Sequence, residues 1–141
     1  MILDQSTFEY LKNLPKTFIT NEPLEVSSAP QKWTRKLQAV DTADTFLIDF
    51  YRGKLNLAKF TINSRYQGSI VLARLDSRGT HKNPDGKIIQ GPHIHIYQQD
   101  YGEKFAYSLS THGFKEPIPS IKHTIVEFLA FFNVTHIPEI K

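Results

Sequence analysis

From Trp33 to Ser110 apolar and polar residues largely alternate, whereas on either side of that stretch apolar residues recur every three or four positions. This change of period limits the fold more than any other feature, because alternation suits a half-buried strand and the longer spacing suits an amphipathic helix. The alternating stretch divides into the runs KWTRKLQAV, TFLIDFY, NLAKFTINSRY, SIVLARLD, HIHIYQQD and KFAYSLS. Between them lie the turn signals DTAD, RGK, QG and YGE, and a longer insert from Ser77 to Pro92. Short connections permit hairpins but not parallel crossovers, so the expectation is a five- or six-stranded antiparallel meander.

Helices are expected at both ends. Ile2, Leu3, Phe8, Leu11 and Leu14 have helical spacing, with Asp4 or Ser6 as a cap and Pro15 as a stop. After Ser120, the spacing of Ile121, Ile125, Phe128, Leu129 and Phe132 predicts a second helix with its apolar stripe packed on one sheet face. Residues 20–31 read as a connecting loop and those from Thr135 onward as a loose tail. The expected class is therefore α+β, and a chain of 141 residues is the size of one domain, 1–141.

Absence of cysteine excludes disulfides, thiolate metal sites and cysteine nucleophiles, and fits a reducing cytoplasm. Asp4 stands where a signal peptide would be basic, and no apolar run approaches the length of a membrane span, so a soluble cytoplasmic protein is expected. The net charge of +3 is a mild bias toward anionic partners. Its densest patch, KWTRK at residues 32–36, suits either nucleic acid or an edge strand protected by charge.

Sorting the strands by parity puts Phe46, Ile48, Phe50, Ala58, Phe60, Ile62, Val71, Ala73, Leu75, Ile94 and Ile96 toward the helix. The other face then gathers Asp49, Tyr51, Asn63, Arg65, Arg74, Asp76, His93, His95 and Tyr97. An antiparallel sheet often has a wet side, but two histidines, two arginines and a tyrosine together also suit chemistry. The insert adds His81, Asn83 and Asp85, and its NPDG is a strong turn signal, with Pro84 presetting φ and Gly86 free to take positive φ. An ordered insert of this length in a small domain suits binding or a lid.

Three chemistries fit these residues. His93 and His95 have the HxH spacing that lets two imidazoles reach one divalent metal, with His81 as a third ligand and Asp76, Asp100 or Glu103 as oxygen donors. A cupin-type HxH site is not matched, since Glu103 lies too far downstream and no second histidine motif follows. Alternatively, His93, His95, His81 and Tyr97 serve as proton carriers in a metal-independent, ribonuclease-like toxin, with Arg65, Arg74, Asp76, Asn83 and Asp85 binding substrate. The third reading is a non-catalytic module or inhibitor gripping RNA or another protein. Action on nucleic acid is the working expectation, no cofactor is favoured, and a divalent metal stays open.

Residues 74–108, RLDSRGTHKNPDGKIIQGPHIHIYQQDYGEKFAYSL, resemble a family of small uncharacterised bacterial and phage-associated proteins in the order RLD, H, NPDG, I, HxHxY and YG. The resemblance implies a shared site at Arg74, Asp76, His81, Asn83, Asp85, His93, His95 and Tyr97, and a role in mobile-element conflict, without implying a reaction.

Overall fold

The computed structural model describes residues 2–56 and 58–141. Helix α1 spans Gln5–Asn13, and its cap is Asp4, whose Oδ1 accepts from the Thr7 amide at 2.7 Å. Helix α2 spans Ile121–Phe131 and is capped by Ser120, whose Oγ accepts from the His123 amide at 3.0 Å. Both caps satisfy amides that have no partner within the helix.

The strands are β1 (Lys16–Phe18), β2 (Gln31–Ala39), β3 (Thr45–Arg52), β4 (Phe60–Tyr66), β5 (Ile70–Asp76), β6 (Thr80–Lys82), β7 (Ile88–Gln90), β8 (His93–Ile96), β9 (Ala106–Ser108) and β10 (Val134–His136). Eight of them form one sheet in the order β10-β1-β2-β3-β4-β5-β8-β9, while β6 and β7 form a separate hairpin. The α+β class holds, but a five- or six-stranded antiparallel meander does not describe this sheet. It is mixed, because β10 runs parallel to β1 after the chain has returned through α2. Strands of three residues are too short to show alternation, so β1, β10 and the hairpin strands take their form from their partners, whereas β9 falls within the expected run KFAYSLS.

The expected tail beyond Thr135 is ordered as well. The amide of Leu24 donates to the Glu139 carbonyl at 2.8 Å, that of Lys141 returns to Leu24 at 2.9 Å, and Ile140 is buried. The proline-containing loop before β2 lacks a strand partner of its own, and the carboxyl end supplies one.

The apolar parity set is buried mostly as expected, with Phe46, Ile48, Phe50, Phe60, Ile62, Ala73, Leu75, Ile94 and Ile96 in one core with Phe8, Leu11, Ile125, Phe128 and Leu129. Ala58 and Val71 are the exceptions: Ala58 is exposed in the turn before β4, where strand parity does not apply. A bulge skips Leu72, so that Val71 lies across from Arg65 on the polar face and Ile70 across from Tyr66.

Lys16 joins the ends of the two helices. It is 1% exposed, and its Nζ donates to the carbonyls of Lys12, Leu14 and Phe132 at 2.8–2.9 Å. These carbonyls are at or just beyond the C-terminal ends of α1 and α2, where the helix dipole is negative. The ammonium also lies 4.7 Å from the Phe46 ring centroid. Burial, with a smaller contribution from the like charge of Lys12, pulls its pKa down to about 7.

Candidate functional site

Directly opposite residues in adjacent strands share a face, so the register assembles the site row by row. One row runs Thr34, Asp49, Asn63, Arg74, His95 and Ala106; the next runs Lys32, Tyr51, Thr61, Asp76, His93 and Ser108. Arg74, Asp76, His93 and His95 therefore form a square on β5 and β8, with Thr61 beside Asp76 on β4.

The carboxylate of Asp76 is the centre of this square. Its Oδ2 lies 3.1 Å from Arg74 Nε and 3.4 Å from the Nε2 atoms of both His93 and His95, and its Oδ1 accepts from Thr61 Oγ1 at 2.9 Å. Burial by itself would raise the pKa of Asp76, but its polar contacts with the His93 and His95 imidazoles, the charge of Arg74 and the Thr61 hydroxyl outweigh it and hold the carboxyl far below the usual range. The same contact with Asp76 raises the pKa of His93, against the opposing effect of burial.

Main-chain carbonyls fix the imidazoles from behind. His93 Nδ1 donates to Gly91 O at 2.8 Å, and His95 Nδ1 donates to Glu103 O at 2.9 Å. With Nδ1–H committed, His95 Nε2 offers a lone pair, which Arg74 Nη2 reaches at 3.1 Å. Arg74 thus bridges Asp76 and His95 as a cation, and its side chain remains 40% exposed.

The hairpin β6–β7 contributes the third histidine. Its turn is the expected one: the Gly86 amide donates to Asn83 O at 2.8 Å, and Gly86 has φ of +90°. Asn83, 5% exposed, exchanges two bonds with Ala106, donating to its carbonyl at 3.0 Å and accepting from its amide at 2.8 Å. His81 Nε2 donates to Lys104 O at 2.7 Å, and its ring centroid lies 4.6 Å from that of His95 and 6.3 Å from that of His93. The supposed wet face is therefore covered here, with the side chains of His93 and His95 only 5% and 3% exposed.

Other residues marked in the sequence lie elsewhere. Tyr97 falls just past the end of β8, where strand parity no longer applies; its hydroxyl donates to Leu3 O at 2.7 Å and accepts from Leu3 N at 2.8 Å, and its ring stacks on Phe8. Arg65 makes a bidentate pair with Asp49 at 2.7 and 2.8 Å and also donates to Gly68 O, which occupies the fork intended for phosphate. Asp85 accepts from the Lys87 amide and lines a separate cavity of about 340 Å³ with Asn83, Lys87 and Tyr107, and none of the histidines is in its wall. Glu103 contributes its carbonyl, and Asp100 is an exposed turn residue with φ of 73°. Thr61 and the carbonyls of Gly91, Glu103 and Lys104 were not marked; only Thr61 had a signal, its place on the polar face of a neighbouring strand.

A family model matches residues 3–134, nearly the whole chain. The chain belongs to DUF6978, a family of unknown function. No curated protein and no solved structure matches it. Among the described residues of this DUF6978 chain, Asp76, His93 and His95 form a group able to hold a metal ion, with one ligand atom from each within 4.8 Å of the others. No helix among these residues is long and apolar enough to cross a membrane.

Proposed function

We propose that this protein binds a divalent transition-metal ion through Asp76, His93 and His95. The observation that carries the reading is the equal 3.4 Å separation of Asp76 Oδ2 from both Nε2 atoms. That separation is long for a hydrogen bond, and a tetrahedral ion with bonds of about 2.1 Å has ligand-to-ligand edges of about 3.4 Å. The ring centroids of His93 and His95 are 5.1 Å apart. Two imidazoles on one such ion would have centroids about 5.2 Å apart, taking the bond length and a tetrahedral angle.

The surroundings support the same reading. Both ligand imidazoles donate their remote N–H to a main-chain carbonyl, which fixes the tautomer and orientation as in metal sites generally. Paired histidines and one carboxylate suit zinc or a similar borderline ion better than calcium or magnesium. Arg74 stands in for the ion and must leave when it binds. Asn63 lies opposite Arg74 in the register, and its buried Oδ1 has no hydrogen-bond partner, so it is a ready acceptor for the displaced guanidinium.

The ribonuclease-like reading asks a phosphate to enter between His93 and His95, and their burial favours an ion-sized ligand over a polynucleotide. Calorimetric titration with zinc tests the proposal. Wild type should bind about one ion per chain, His93→Ala and His95→Ala should lose that binding while keeping their circular dichroism, and Arg74→Gln should bind more tightly. Undiminished binding in the folded His93→Ala/His95→Ala double variant would refute it.

A further inference from the structure

We infer that His81, carried on the β6–β7 hairpin, is the fourth ligand of this ion, so that the site is closed and acts as a clasp between hairpin and sheet. The inference rests on the metal-binding reading above and adds to it the residue that decides whether the ion keeps an open position for chemistry.

Three observations lead to it. The His81 ring already lies beside the two proposed ligands, with centroid separations of 4.6 and 6.3 Å from His95 and His93. These values bracket the spacing of about 5.2 Å expected for imidazoles on a common tetrahedral ion; the ligand atoms already within 4.8 Å of one another are those of Asp76, His93 and His95, so His81 has to move in to join them. Next, His81 is held as the other two are: its Nε2–H goes to a main-chain carbonyl, that of Lys104, and Nδ1 is left to coordinate. The carbonyls serving His95 and His81 belong to the consecutive residues Glu103 and Lys104, so one short segment orients both rings. Finally, the hairpin is already pinned at its turn by the reciprocal Asn83–Ala106 bonds, which hold His81 over the sheet before any ion arrives.

The chemical consequence follows from the ligand count. Three protein ligands leave a coordination position for water or substrate, as catalytic zinc sites do, whereas four protein ligands close the site, as structural ones do. With His81 bound, the ion is surrounded by three nitrogens and one carboxylate oxygen beneath the hairpin. It then links β5 and β8 to β6 and adds a metal-dependent restraint to the order that the Asn83–Ala106 bonds already give residues 80–90.

Cobalt substitution distinguishes the possibilities. Co²⁺ added to wild type should give the intense visible bands of four-coordinate cobalt with protein ligands, and Zn²⁺ should slow amide exchange across residues 80–90. His81→Ala should weaken zinc binding by at least about tenfold, change the position and intensity of those bands as water takes the vacated position, and abolish the zinc-dependent protection. His81→Gln, which can still donate to the Lys104 carbonyl, should behave as His81→Ala does if ligation is what matters. Unchanged affinity and spectrum in both variants would overturn the fourth-ligand assignment while leaving Asp76, His93 and His95 as the site. Failure of wild type to bind either metal would overturn both.

Discussion

Replacing Lys16 with methionine isolates the cost of holding an ammonium inside this fold. Methionine retains most of the chain volume and removes the charge and the three donors that serve Lys12, Leu14 and Phe132. The folded pKa of Lys16 is about 7, against a reference value of 10.5. The contribution from this shift is fully present above the unfolded pKa and is lost as pH falls through the folded one. Between pH 6 and pH 9 the unfolded chain keeps its proton while the folded chain releases it over roughly two pH units, so wild type should gain about 2–3 kcal/mol from this group. Lys16→Met has no such gain. The assay is urea denaturation of both proteins at pH 6 and pH 9, comparing the difference between them so that the other titrating groups cancel. The stability of wild type relative to Lys16→Met should rise by that amount. A flat difference would refute the reasoning: it would mean that the three carbonyls and the Phe46 and Phe132 rings replace the lost hydration and keep the amine charged.

Two further substitutions separate support from site. Asn83→Ala removes both bonds to Ala106 and should cost about 2–4 kcal/mol, with faster amide exchange in residues 80–90; unchanged exchange there would show that the hairpin is held by other means. Tyr97→Phe leaves the amide and carbonyl of Leu3 without their partner and should cost about 2–3 kcal/mol in chemical denaturation while zinc affinity stays the same, and a loss of zinc binding without a loss of stability would return Tyr97 to the site.

Much of this architecture could be read from periodicity and caps, because the long strands bury one face and each helix begins at a residue that accepts an amide. Asp4 and Ser120 do so here, and NPDG forms its turn from local preferences alone. The short strands were hidden for the opposite reason: VTH becomes β10 only through pairing with β1, which lies more than a hundred residues earlier. Parity put Arg74, Asp76, His93 and His95 on one face, but it carries no information about what covers that face. The fold-back of β6–β7 turns a wet surface into a buried cluster, and the pairing of Arg65 with Asp49 uses up a cation that the sequence left available. Tyr97 has the parity of the histidines but lies one residue past their strand.

Anomalous diffraction at the zinc edge, from crystals grown with equimolar zinc, tests the central claim most directly. A single peak is expected about 2.0–2.2 Å from Asp76 Oδ2, His93 Nε2 and His95 Nε2, with Arg74 turned toward Asn63. Zinc-treated crystals with no peak among those atoms, and with Arg74 still bridging Asp76 and His95, would contradict it.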